Sequence, residues 1–163
     1  PYGGSRENRA RLLFETLEAV CGVWGSDRVG LRISPLNSFN HMIDSDPIGL
    51  ATWLAEALNR FGLAYLHLMR ADFFGQQSGD VVTPVRAAYR GVLVGNMGYS
   101  AAEAAEAIAG GRLDAVAFGV PFIANPDLPL RIKRQAPLVA ADPATFYSPG
   151  AVGYTDYPFL EQA

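Results

Sequence analysis

Two hydrophobic rhythms alternate along the chain. Behind Ser5, residues Leu12, Leu13, Leu17, Val20 and Val23 recur at three- and four-residue spacing, which predicts a helix from Ser5 to about Val23. Trp24-Gly25-Ser26-Asp27 breaks it, and the period falls to two. Val29, Leu31 and Ile33 alternate with Gly30 and Arg32, so 28–33 reads as a strand ended by Ser34-Pro35. A polar loop with Phe39 as its one large apolar residue leads to a second helix over 47–61, carrying Leu50, Trp53, Leu54 and Leu58. Residues 63–69 read as a second strand, 70–84 as a long loop and 84–90 as a short helix. A third strand is predicted over 92–95, an alanine-rich helix over 101–109, a fourth strand over 113–119 and a helix over 127–134. The tail, 135–163, is rich in proline and aromatics and reads as irregular.

The order is one helix, three βα units, a fourth strand and a final helix. Near-continuous apolar strands argue for a parallel sheet, and right-handed crossovers would lay the four strands side by side in sequence order. Four such strands make half of an eight-stranded (β/α)8 barrel, with two apolar edges that invite another chain. A doubly wound open sheet is the rival, but no G-x-G-x-x-G follows the first strand.

Two strand-to-helix turns carry the clearest local chemistry. Leu93 to Ser100 runs from an apolar strand through Gly95, Asn96 and Gly98 into Ser100-Ala101-Ala102-Glu103, a capping-box pattern. Ala115 to Pro121 repeats the theme with Gly119 and leads to Asn125-Pro126, which reads as an N-cap with proline at the first helical position. Glycine at such turns lets backbone N–H groups approach an anion, and the last two strand loops of a (β/α)8 barrel are its usual phosphate site.

Composition narrows the class. Half of the 163 residues are apolar and the net charge is −3, which gives no electrostatic reason to expect nucleic acid or an anionic membrane as partner. The single cysteine, Cys21, reads as a packed thiol in a reducing, cytoplasmic setting. No apolar run approaches the roughly 20 residues of a membrane span. With two histidines and no Cys/His cluster, no metal site is expected, and His67 reads as a hydrogen-bonded core residue. The chain begins mid-turn at Pro1 without an initiator Met, as if processed, cut or deliberately started there.

A resemblance emerges from several segments taken in order. They begin with Tyr2-Gly3-Gly4-Ser5, Glu7-Asn8-Arg9-Ala10-Arg11, Val29-Gly30-Leu31-Arg32-Ile33-Ser34-Pro35 and Tyr65-Leu66-His67-Leu68. Gly98-Tyr99, Ala117-Phe118-Gly119, Phe122-Ile123-Ala124-Asn125-Pro126-Asp127-Leu128-Pro129, Thr145-Phe146-Tyr147 and Gly153-Tyr154-Thr155-Asp156-Tyr157-Pro158 follow. In this order they cover essentially the whole chain, which resembles the Old Yellow Enzyme family of FMN-dependent ene-reductases, in particular its bacterial members. The resemblance implies that residues 1–163 are the C-terminal half of a single FMN-binding TIM-barrel domain, supplying strands five to eight. It implies an NADPH dehydrogenase-type oxidoreductase that uses NAD(P)H and FMN to reduce activated C=C bonds. The family's proton-donor tyrosine and substrate-binding His/Asn pair lie upstream of Tyr-Gly-Gly, so no catalytic residue is expected here. A complementary N-terminal half-barrel chain, or a split or permuted enzyme, would supply them.

The resemblance also assigns site residues. Arg32 would face the flavin N1/C2 carbonyl; from the residues alone, a salt bridge to a loop carboxylate is the equal alternative. Gly95, Asn96, Gly98 and Gly119 would cradle the phosphate, and Phe146 would cover the flavin. Phe39, Asn40 and Tyr147 would line the substrate side. Val120 departs from the pattern, because the family commonly has a phosphate-pairing arginine there; a valine offers only its N–H, leaving Arg131 or Lys133 as basic candidates. Two further readings stay open: another phosphate-binding barrel enzyme without flavin, and a non-catalytic half-barrel fragment.

Overall fold

The computed structural model describes residues 2–160, so Pro1 lies outside the described residues. The chain forms two compact units, Pro1–Ala117 and Phe118–Ala163.

The first unit is a four-stranded parallel sheet: β1 (Gly30–Ile33), β2 (Tyr65–Met69), β3 (Leu93–Asn96) and β4 (Ala115–Ala117). Their spatial order is β1-β2-β3-β4, the sequential order that right-handed crossovers predict. The intervening helices are α1 (Arg6–Trp24), α2 (Pro47–Leu58), α3 (Val82–Ala88) and α4 (Ala101–Ala109). Leu66, Leu68, Leu93 and the adjoining Val29 and Leu113 share one buried cluster with Leu17 of α1, Ala51, Ala55 and Leu58 of α2, Val85 of α3 and Ala107 of α4. The helices therefore cover the strand face that carries the leucines. Strand side chains alternate, so Arg32, Tyr65, His67, Met69, Val94 and Asn96 lie on the opposite face.

Helix starts follow local chemistry. Ser5 Oγ accepts the Asn8 N–H at 3.4 Å, and the Asp46 carboxylate accepts the Gly49 N–H at 3.1 Å ahead of Pro47. The capping box at α4 is complete: Ser100 Oγ accepts from the Glu103 N–H at 3.2 Å, and Glu103 Oε2 accepts from the Ser100 N–H at 2.9 Å. Two faces differ from the expected ones. On α1, Leu12, Val20 and Val23 are exposed, while Ala10 and Leu17 are buried and Leu13, Phe14 and Cys21 pack on the core. Phe14 decides this, since its ring meets Phe61 at 5.9 Å and Trp53 at 6.0 Å. On α2, the deepest positions are Ala51, Ala55 and Leu58, because alanines let the helix sit close to the sheet.

The second unit holds α5 (Val120–Ile123), a short turn with no counterpart among the sequence-based elements, and α6 (Leu128–Arg134). Asn125 is not a helix cap. It is fully buried, donating to the Pro121 and Val139 carbonyls at 2.8 and 2.9 Å and accepting from the Val139 N–H at 2.9 Å. The residue preceding α6 is Asp127, whose Oδ1 takes the Arg131 Nε–H at 2.7 Å. Arg131 also donates to the Pro137 and Pro158 carbonyls, and Asp127 Oδ2 accepts the Leu160 N–H. The tail is irregular, with one 3-10 turn at Pro143–Thr145, yet this buried ion pair fastens it at both ends.

Candidate functional site

Strand register sets four residues at one level across the face opposite the helices: Arg32, His67, Val94 and Ala115. Arg32 Nη2 donates to Asn96 Oδ1 at 3.3 Å and lies 3.7 Å from Met69 Sδ. Among the described residues it has no carboxylate partner, so the expected alternative of a salt bridge to a loop acid is not found. A guanidinium on this face without a counter-charge is suited to receive negative charge from a ligand.

His67, expected as a hydrogen-bonded core residue, is half-buried and interacts with Asn96. It lies on the same face as Arg32, and its Nε2 is buried without a hydrogen-bond partner among the described residues. Burial lowers its pKa first and the Arg32 charge adds to that, against an opposing contribution from Asn96. The ring is therefore neutral at pH 7.

At the carboxyl end of β3 the chain turns sharply. Met97 has φ 86° and Gly98 φ 68°, both in the left-handed region. Among the described residues, no hydrogen bond uses the N–H groups of Met97, Gly98 or Tyr99. This turn is a backbone cradle of the kind that holds anions. Gly95 has a separate reason to be glycine: a Cβ there would lie 2.4 Å from Leu113 Cδ1, on the helix-covered side.

Two loops meet at the carboxyl ends of β1 and β2. The Asp72 carboxylate accepts from Ser38 N–H and Oγ–H, and from the N–H groups of Phe74, Gln76 and Gln77, at 2.7–3.1 Å. Burial pushes this carboxyl up, but the hydrogen bonds from Ser38, Phe74 and Gln77 outweigh it and hold the group well below the usual carboxylate range. Gln77 Nε2 donates to the Leu36 carbonyl at 3.0 Å, a second tie. The result is an exposed aromatic step, with Phe39 stacked on Phe74 at 6.0 Å and Phe73 edge-on to Phe74 at 5.3 Å. Asn40, at φ 54°, shapes the turn beside Phe39.

In the second unit, Gly119 precedes α5 and Val120 is exposed at its first position. Phe146 and Tyr147 line a cavity of about 320 Å3 with Phe122, Ile123, Thr145, Gly153 and Tyr154. Tyr147 is 96% exposed at φ 62°, so the cavity is open at that side. Arg131 is excluded as an anion ligand by its buried pairing with Asp127, whereas Lys133 is exposed. Sequence reasoning missed three organising residues: Arg70, Asp72 and Asp127. Only their position just after a strand or before a helix was legible; their partners are distant in sequence.

Four parallel strands in sequential order with helices on one face are the layout of a segment of a (β/α)8 barrel. The profile of the NADH:flavin oxidoreductase / NADH oxidase family matches residues 1–138, and the chain belongs to that family. It is 50% identical over 159 residues to a probable flavin mononucleotide-dependent alkene reductase of Leishmania infantum, covering 98% of this chain and 43% of that protein. It is 40% identical over 165 residues to 12-oxophytodienoate reductase 2 of Arabidopsis thaliana, covering 98% of this chain and 44% of the relative. The old yellow enzyme of Trypanosoma cruzi superposes with a TM-score of 0.94 at 47% identity, over 96% of this chain and 42% of that structure. Morphinone reductase bound to tetrahydroNAD gives a TM-score of 0.89 at 44% identity, over 98% and 43%. The chain is a parallel α/β fragment of an Old Yellow Enzyme-type barrel, spanning less than half the length of these relatives.

Proposed function

We propose that this chain is part of an FMN-dependent NAD(P)H oxidoreductase that reduces activated C=C bonds. In this reading it forms strands five to eight of a (β/α)8 barrel. The remaining strands, from the same polypeptide or from a complementary N-terminal chain, supply the proton-donor tyrosine and the His/Asn pair for the substrate oxygen. FMN, when bound, supplies the hydride chemistry.

The observation that carries the reading is Arg32. It is a cation on the strand face opposite the helices with no acid beside it among the described residues, fixed by Asn96 at 3.3 Å. There it would bind the electron-rich pyrimidine edge of the flavin and stabilise negative charge on it, a preorganised electrostatic role. The N–H groups after Asn96 would take the phosphate, with Gly98 permitting the turn; Gly119, Val120, Phe146 and Tyr147 of the second unit are candidates from the family resemblance alone. Phe39 and Asn40 would line the alkene side.

An absorption spectrum of the purified protein tests this. The oxidised-flavin band at about 450–460 nm is expected, bleached by NAD(P)H without oxygen and restored by a small α,β-unsaturated ketone. A protein that takes up no FMN, or one whose reduced flavin is not reoxidised by any activated alkene, would refute the reading.

A further inference from the structure

Arg70 follows β2 directly. Its contacts converge on a single turn. Its backbone N–H donates to the Asn96 carbonyl at 3.1 Å, its Nε to the Met97 carbonyl at 2.8 Å and its Nη2 to the Gly98 carbonyl at 2.8 Å. The guanidinium lies 3.6 Å from the centroid of the Tyr99 ring, and Nη2 approaches Glu103 Oε1 at 3.5 Å. One residue thus takes three successive carbonyls of the turn.

Planar trans peptides fix the consequence. Each carbonyl points opposite to the N–H of the following residue in the same peptide unit. Turning the carbonyls of Asn96, Met97 and Gly98 toward Arg70 therefore turns the N–H groups of Met97, Gly98 and Tyr99 away from it. Those are the three N–H groups left without partners among the described residues. Without such a hold, Met97 at φ 86° would relax, since a non-glycine residue in that region is held against its own preference. The guanidinium also places a positive charge behind the turn, which favours an anion in front of it.

We propose that Arg70 is a positioning residue for the phosphate end of FMN, one that aims the backbone N–H groups of residues 97–99 at the phosphate without touching the flavin ring. This rests on the reading above, in which that turn receives the phosphate.

The test compares FMN with riboflavin, which lacks the phosphate, using flavin fluorescence to titrate the complete apo-flavoprotein. Arg70→Ala is expected to weaken FMN binding by roughly tenfold or more, about 1.4 kcal/mol, while riboflavin binding stays unchanged. Arg70→Lys, which keeps the charge but not the fork, should fall between the two. Unchanged riboflavin affinity also shows that the variants are folded. Equal loss for both flavins would make Arg70 a general scaffold residue and overturn the proposal, as would no loss for either. Failure of the underlying reading is visible earlier, as an unmodified protein that does not prefer FMN to riboflavin.

Discussion

Single residues decide the charge distribution on the strand face. Arg32 and His67 are neighbours across β1 and β2, and the guanidinium helps hold the imidazole neutral, so one fixed positive charge stands there at neutral pH. Val120 is the complementary case, a residue proposed for the phosphate end whose side chain brings no charge. We expect Val120→Arg to tighten FMN binding, by roughly tenfold for one charge-assisted hydrogen bond, in the same fluorescence titration. An unchanged dissociation constant would mean that the phosphate is already saturated by backbone donors. Arg131, which its basic character and position nominated for the same task, is excluded because it is buried and paired. Position in sequence says which residues are cationic; burial says which are free.

At the level of elements, loops do the coupling. Asp72 binds the loop after β1 to the loop after β2, and the stacked rings of Phe39 and Phe74 ride on that join. In Asp72→Asn, one oxygen becomes an NH2 group facing backbone donors. The expected result is a rise in KM for the alkene of roughly tenfold, with flavin content and the rate of reduction by NAD(P)H unchanged. A change in flavin content instead would place Asp72 in the scaffold rather than on the substrate side. The sign of the pH dependence follows from the depressed carboxyl. In the folded protein Asp72 stays ionised well below its ordinary value of 3.8, so the join is intact at neutral pH and its stabilisation shrinks only once the pH falls below about 4.

For the whole molecule, acid is the informative stress. Asp72, Asp80, Glu103 and Asp127 are all held below their ordinary values, Asp72 and Asp127 against burial and all four by hydrogen bonds they accept in the folded state. A carboxyl whose pKa is depressed on folding contributes stability above its unfolded value and loses it as pH falls through the folded one. Thermal denaturation should therefore give a midpoint that is flat with respect to these groups above about pH 5 and falls steeply below pH 4. Arg131→Met should lower the midpoint at pH 7 and flatten that acid limb, because Asp127 then loses its cation. A midpoint insensitive to the substitution would show that the tail is held by its apolar contacts alone. Among the described residues no helix is long and apolar enough to cross a membrane.

Much of the fold was determined by sequence alone. Element type and order follow from periodicity, the α4 capping box was legible to the atom, and sequential parallel pairing followed from crossover handedness. The segments from Val29 to Pro35 and from Phe122 to Pro129 carried the family. Tertiary structure decided the rest. Periodicity admits two apolar rows on α1, and the aromatic contact of Phe14 with Phe61 selects one. It cannot distinguish a strand residue facing helices from one facing the opposite side, which is where His67 stands beside Arg32. It is silent on contacts such as Arg70 to the turn after β3, or Asp72 to Ser38, because those partners lie 27 and 34 residues apart. Local patterns fix what each segment forms; which polar groups satisfy one another is settled only when distant segments pack.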